Sequence, residues 1–298
     1  LPHGAMTARM LEKLEELILR ENPTHVLVYG DTNSTLAGAL AAAKLHIPII
    51  HVEAGLRSFN ALMPEETNRI LTDRLSSFLF CPSEIALNNL KNEGYPFNDY
   101  SNSPQVMKNV GDVMFDVLTF YKKKSLSTIE FDTFGVSKND YVICTIHRQE
   151  NTDNIIKLKN ILSALCELAK TREVILPVHP RTEAKLRSLE MKIDEIKVIP
   201  PLPYLEMQRL IMDASCVITD SGGLQKEAYF HRVPCITLRN ETEWTETLLG
   251  GWNTLVGNDV ERILDAAISP THKENYVDQI YGAGSASKMI LEIIGKFK

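Results

Sequence analysis

Short, continuously apolar runs recur along this chain, and they restrict its fold more than any other feature. HVLVYG (25–30), IPIIHV (47–52), FLFCPS (78–83), YVICTIH (141–147), EVILPVH (173–179), IKVIPP (196–201), CVITDSG (216–222) and CITLR (235–239) each read as a strand. Amphipathic stretches of helical length, such as MTARMLEKLEELILRE and NIIKLKNILSALCELAK, separate most of them. Strands without a polar face need cover on both sides, and alternation with helices gives parallel sheets. The expected class is α/β, doubly wound.

The alternation breaks once. YPFNDYSNSPQ is turn-rich, VGDVMFDVLTFYKKK reads as a connecting helix, and SLSTIEFDTFGVSKND is irregular before strands resume. Two Rossmann-like domains are expected, residues 1–112 and 113–283, followed by a helical segment, 284–298. The first holds three clear strands and the second five. A chain of 298 residues is long enough for two cores.

Composition excludes several function classes. Hydrophobic residues make up 44% and charged residues 23%, ordinary for a soluble globular protein. A formal net charge of -6 argues against a nucleic-acid-binding surface. No run approaches the roughly 18 to 20 apolar residues of a membrane span, and LPHGAMTARM lacks the marks of a signal peptide. The five cysteines, Cys81, Cys144, Cys166, Cys216 and Cys235, form no CxxC pair. Their odd, scattered usage fits free thiols in a reducing cytoplasm. The eight histidines make no HExxH-like cluster, so no metal or other cofactor is expected.

Polar groups gather where the apolar runs end. Asp31 follows VYG, Glu53 follows IIHV, His147-Arg148 follow ICTI, His179-Pro-Arg follow ILPV, and Asp220-Ser221-Gly222-Gly223 follow VIT. Ligands of open α/β sheets bind beyond the carboxyl ends of strands. Each group also has a structural task open to it: Asp31 and Asp220 can cap helices, and Glu65 and Glu66 after Pro64 suit a helix first turn. Glu53 has no evident capping task. In TDSGGLQKEA (219–228), two glycines at a strand-to-helix turn let backbone N–H groups approach an anion. Glu227, further along, is placed to accept from ribose hydroxyls. The pattern suits a nucleotide diphosphate, but it is neither GxGxxG nor a P-loop.

These residues carry a family resemblance. GDTNSTLAGALAAAKLHIPIIHVEAGLRS, MPEETNR, HRQEN, PVHPRT and TDSGGLQKEA resemble, in order and spacing, the non-hydrolysing UDP-N-acetylglucosamine 2-epimerases over residues 1–298. The resemblance implies the GT-B fold, with a UDP-sugar in the cleft between two Rossmann domains and a last helix, GSASKMILEIIGKF, crossing back to the first. It implies anti elimination of UDP to 2-acetamidoglucal and re-addition, serving cell-surface polysaccharide synthesis. Asp31, Glu53, Glu65 and His147 match the family's catalytic positions, leaving base and acid unassigned among the carboxylates. Arg148 matches a charge-handling or effector position, Ser221, Gly222 and Gly223 the diphosphate turn, Glu227 the ribose position, and Leu202 and Met207 the uracil side. His179 falls where some bacterial members bind a second UDP-GlcNAc as activator. A homodimer is also implied.

Two departures stand out. The family's opening strand and Gly-Thr-Arg-Pro-Glu loop have no counterpart, so the first sheet is expected to be incomplete. A truncated gene model, a fragment, or a partner chain supplying the rest all fit that start. Trp244, in NETEWTE, stands where many members carry arginine, and this wording is closer to the branch with UDP-2,3-diacetamido-2,3-dideoxyglucuronate 2-epimerases. Two other readings stay open beside the epimerase: a GT-B glycosyltransferase and a UDP-sugar-binding fragment without activity.

Overall fold

The computed structural model describes residues 2–97, 105–178, 180–189, 191–268 and 276–297. The chain divides into two compact units, Leu1–Asp116 with Gln279–Lys298, and Val117–Asp278. In the first, α1 (His3–Glu21), β1 (Val26–Tyr29), α2 (Asn33–Lys44), β2 (Ile49–Val52), α3 (Pro64–Leu75), β3 (Phe78–Cys81), α4 (Glu84–Asn92) and β4 (Val106–Asn109) alternate. Helix α5 (Val113–Thr128) runs from the first unit into the second. There follow β5 (Tyr141–Thr145), α6 (Gln149–Thr152), α7 (Ile155–Ala169), β6 (Glu173–Pro177), α8 (Pro180–Ser188), β7 (Lys197–Ile199), α9 (Tyr204–Met212), β8 (Cys216–Thr219), α10 (Gly222–Phe230), β9 (Cys235–Thr237), β10 (Asn253–Leu255) and α11 (Val260–Ile268). Helix α12 (Ala286–Ile294) belongs to the first unit.

Both sheets are parallel throughout, with strand orders β1-β2-β3-β4 and β10-β9-β8-β5-β6-β7. Every residue of β2, β3 and β8 is buried, as strands covered on both faces require. The faces separate by period two. In β5, Val142 and Cys144 pack with Leu162 of α7 and Ile263 of α11, while Tyr141 and Ile143 pack with Leu210 of α9 and Ala228 of α10. In the first unit Ile49 joins Ala39 and Ala42 of α2, and Ile50 and Val52 join Ile290 of α12.

Among the described residues the strand count corrects the sequence reading: four and six, not three and five. Strand β4, VMKN, carries Lys108 and Asn109 and is only partly buried. Strand β10 is three residues long and begins on Asn253, whose amide bonds Thr237, Gln225 and Thr247. Neither presents an apolar run. All five cysteines are free, and Cys81, Cys144, Cys216 and Cys235 are buried. Burial pushes the Cys216 and Cys235 thiols up to about 12. Among the described residues no helix is long and apolar enough to cross a membrane.

Candidate active site

In the first unit the polar groups stand at the carboxyl ends of β1 and β2. Thr32 caps α2 by accepting from Thr35 N–H, and Thr35 Oγ1 donates to the Tyr29 carbonyl, so the chain turns sharply at Gly30-Asp31. Helix α3 clamps that turn: Arg69 Nη1 donates to Asp31 Oδ2 at 2.5 Å, and Asn68 Nδ2 donates to the Asp31 carbonyl at 2.8 Å. Glu53 has φ +73°, a left-handed conformation rare for a residue with a side chain and costly to hold. Its Oε2 lies 3.1 Å from where a Cβ on Gly30 would be, so the Glu53 carboxylate overlies the start of the Asp31 turn. The structure thus brings Asp31 and Glu53 together.

Glu65 stands half-buried in the first turn of α3, one turn from Arg69 and so on the same face. Its neighbour Glu66 has a different task. Buried, it accepts from Ser58 N, Ser58 Oγ and Phe59 N and pairs with Arg69 at 2.7 Å. Burial alone would raise its pKa, but the Ser58 N–H and Arg69 hold it below the ordinary value. Arg57 is likewise structural, donating to both Glu93 oxygens and to Asp73, each at 2.7 Å.

In the second unit the strand order is the doubly wound pattern in which the chain reverses direction between its first and fourth strands. Here those are β5 and β8, neighbours in the sheet, and ligands bind at such a switch point. His147 and Arg148 follow β5; Asp220 and Ser221 follow β8. Asp220, fully buried, accepts from His147 N, Arg148 N and Asn151 Nδ2 at 3.0–3.2 Å. Its Oδ1 lies 3.4 Å from Nδ1 of the exposed His147 ring. Ser221 caps α10 by accepting from Leu224 N–H.

A Cβ on Gly222 would lie 2.5 Å from Glu243 Oε1 and 3.0 Å from Trp244 Nε1, so a larger residue there would have to displace those side chains. Glu243 Oε2 is 2.9 Å from Arg239 Nη2, near enough to pair though not aligned for a hydrogen bond. Burial alone would raise the Glu243 carboxyl; Arg239 holds it below its ordinary value. Arg148 Nη2 is 3.9 Å from Glu243 Oε1, and Lys226 Nζ lies 3.7 Å over the Trp244 ring.

A cavity of about 190 Å³ opens beside the switch point, lined by His147, Pro177, Thr182, Pro201, Leu202 and Met207 among others. Leu202, Met207 and His147 therefore share one apolar recess. Glu227 is half-buried on α10; burial pushes its carboxyl up to about 7, against Gln208 and Lys226. Gly223 is half-buried on the same first turn. His179 lies outside the described residues.

A family model described as UDP-N-acetylglucosamine 2-epimerase matches residues 2–295. The chain belongs to that family. It is 48% identical over 296 residues to the UDP-2,3-diacetamido-2,3-dideoxy-D-glucuronate 2-epimerase of Pseudomonas aeruginosa, covering 99% of this chain and 81% of the relative. To the UDP-N-acetylglucosamine 2-epimerase of Methanocaldococcus jannaschii it is 41% identical over 304 residues, covering 99% and 82%. A crystal structure of that archaeal epimerase with UDP-GlcNAc and UDP matches with a TM-score of 0.89, 40% identity, and 99% and 82% coverage. The Neisseria meningitidis epimerase bound to UDP-GlcNAc matches at 0.88, 31% identity, and 99% and 82% coverage. The GT-B fold of this epimerase family is that of the chain.

Sequence reasoning named most residues of both groups but missed what holds them. Arg69 and Asn68 lie in the quoted MPEETNR run, and their side chains reach Asp31 only once α3 has packed. Asp220 reads equally well as a helix cap. Its orienting contacts to His147 appear only when β5 and β8 pair.

Proposed function

We propose that this chain epimerises C2 of a UDP-2-acetamido sugar without a cofactor, interconverting UDP-N-acetylglucosamine and UDP-N-acetylmannosamine for cell-surface polysaccharide synthesis. The observation that carries the reading is Glu53, held in a strained backbone conformation over the turn that presents Asp31. C2 of the sugar has no adjacent carbonyl, so direct proton removal gives no stabilised carbanion. Elimination avoids this. A carboxylate takes the C2 proton as the C1–O bond breaks, giving 2-acetamidoglucal and UDP; C2 is then protonated on the opposite face and UDP re-adds at C1. Asp31, Glu53 and Glu65 supply base and acid. His147, oriented by Asp220, assists departure of the diphosphate. Ser221, Gly222 and Gly223 hold the diphosphate with the α10 N-terminus, Glu227 the ribose, and the recess at Leu202 and Met207 the uracil. Arg148 adds positive charge near the phosphates.

The substrate has a second reading. Trp244 and Lys226 form a cation–π pair beside Gly222, and the 48% identical relative is named for a diacetamido-glucuronate. Incubation with UDP-N-acetylglucosamine in deuterated water, followed by proton NMR, tests the first. Deuterium at C2 with UDP-N-acetylmannosamine appearing is expected. Exchange only with the diacetamido-uronate would move the assignment to the second substrate. Binding without exchange in either would sink the catalytic reading, and product formation only with an added acceptor would indicate a glycosyltransferase.

A further inference from the structure

His51 is fully buried at the end of β2, and no role in the proposed chemistry uses it. Its Nδ1 lies 2.7 Å from Asp73 Oδ1, and its Nε2 lies 2.9 Å from the Gly30 carbonyl. A carbonyl has no proton to give, so Nε2 must carry one. Asp73 also accepts from Gly55 N–H and from Arg57 Nη1, contacts that suit its ionised form. An ionised carboxylate only accepts, so Nδ1 carries a proton as well. Gly30 immediately precedes Asp31, and His51 is two residues before Glu53. One side chain therefore spans the two turns that present those carboxylates.

We propose that His51 is a positioning residue, kept as a doubly protonated imidazolium, that fixes the spacing of Asp31 and Glu53. The inference rests on the proposed epimerase reading for its effect on turnover, but not for its charge state. The groups facing the ring are consistent with a cation: Asp73 from α3, the Gly30 carbonyl just after β1, and Glu53 beyond its own strand. The Arg57 cation binds the other oxygen of Asp73, Oδ2. Burial alone would lower the imidazole pKa, but Asp73, the Gly30 carbonyl and Glu53 outweigh it and raise it above the ordinary value. Burial would raise Asp73, yet His51 and Arg57 hold it low.

The test is nitrogen NMR of the whole chain labelled with 15N-histidine, assigned by comparison with His51→Gln. Both His51 nitrogens are expected to show protonated shifts at pH 7.5; a pyridine-type nitrogen there overturns the proposal. His51→Gln is expected to lower kcat roughly 10- to 100-fold, the effect of misplacing a reacting group by about 1 Å. KM should stay within about threefold, since the nucleotide groups lie in the other unit. The carboxyl carbon signals of Asp31 and Glu53 should also move. A folded variant with unchanged kcat and unchanged carboxyl signals overturns the positioning role. If that variant does not fold, the nitrogen shifts of the unaltered chain, assigned through its other histidines, decide. An unaltered chain that turns over no UDP-2-acetamido sugar sinks the functional reading instead, leaving the nitrogen and carboxyl signals to decide this one.

Discussion

The Asp220 carboxylate grips His147 in two ways, accepting its backbone N–H at 3.1 Å and lying 3.4 Å from its Nδ1. Asp220 also accepts from Arg148 N–H and Asn151 Nδ2, so a fully buried carboxylate meets donors on every side. Such a group fixes the backbone from which the His147 ring projects and keeps Nδ1 on the Asp220 side.

Asp220→Asn separates orientation from binding. The amide NH2 would face N–H donors, leaving at least one buried donor unsatisfied at a cost of about 1–3 kcal/mol. A stability loss of that size is expected in thermal unfolding. Steady-state kinetics should show kcat down by roughly 10²-fold, with KM for the UDP-sugar little changed. A variant with wild-type kcat would remove Asp220 from the orientation of His147.

Glu53→Gln and Glu65→Gln keep size and shape while removing the charge that accepts or returns a proton. General acid–base groups contribute roughly 10² to 10⁴-fold, so kcat should fall by that order in each. UDP affinity, measured calorimetrically, should hold. Near-normal turnover in either variant would end the two-face proton-transfer scheme. Glu66→Gln is the contrasting control: Glu66 pairs with Arg69 and caps the 58–59 backbone. Its main effect should be on stability, and because its folded pKa is depressed, that contribution exists above the ordinary carboxylate pKa and disappears as pH falls through the folded value.

What the sequence made legible follows from which interactions are local. Strands β1, β2, β3, β5, β6, β7, β8 and β9 declare themselves because a largely apolar run needs no partner to be recognised. Strands β4 and β10 do not, because Lys108 and Asn253 are acceptable only through their sheet neighbours and, for Asn253, side-chain hydrogen bonds from Thr237 and to Gln225 and Thr247. Asp31, Glu53 and His147 were visible as polar residues at strand ends. The Asp31–Arg69 and His51–Gly30 contacts were not, since the partners lie 38 and 21 residues apart and no periodicity links them.

Gly222→Ala tests the anion turn. The added methyl would lie 2.5 Å from Glu243 Oε1 and 3.0 Å from Trp244 Nε1, so those side chains or the turn have to shift. Losing one charge-assisted hydrogen bond to phosphate, about 1.5–3 kcal/mol, corresponds to a UDP affinity lowered roughly 10- to 100-fold. Calorimetric titration with UDP measures it. Unchanged affinity would place the diphosphate elsewhere.

Glu227 gives a pH signature. Burial pushes its carboxyl up to about 7, so the folded chain takes up a proton that the unfolded chain releases at the ordinary value near 4.5. Stability contributed through this group is therefore greatest at low pH and falls as pH rises from about 4.5 through 7. Ligand binding runs the other way if the ionised carboxylate accepts from the ribose hydroxyls. UDP-GlcNAc is the right probe, because its diphosphate diester does not titrate near neutrality as UDP does. Its affinity should be roughly tenfold lower at pH 6 than at pH 8, the ratio for a single group with pKa near 7. Glu227→Gln should flatten that dependence while weakening binding at pH 8. An equally steep profile in the variant would show that another group titrates, and would take Glu227 out of ribose recognition.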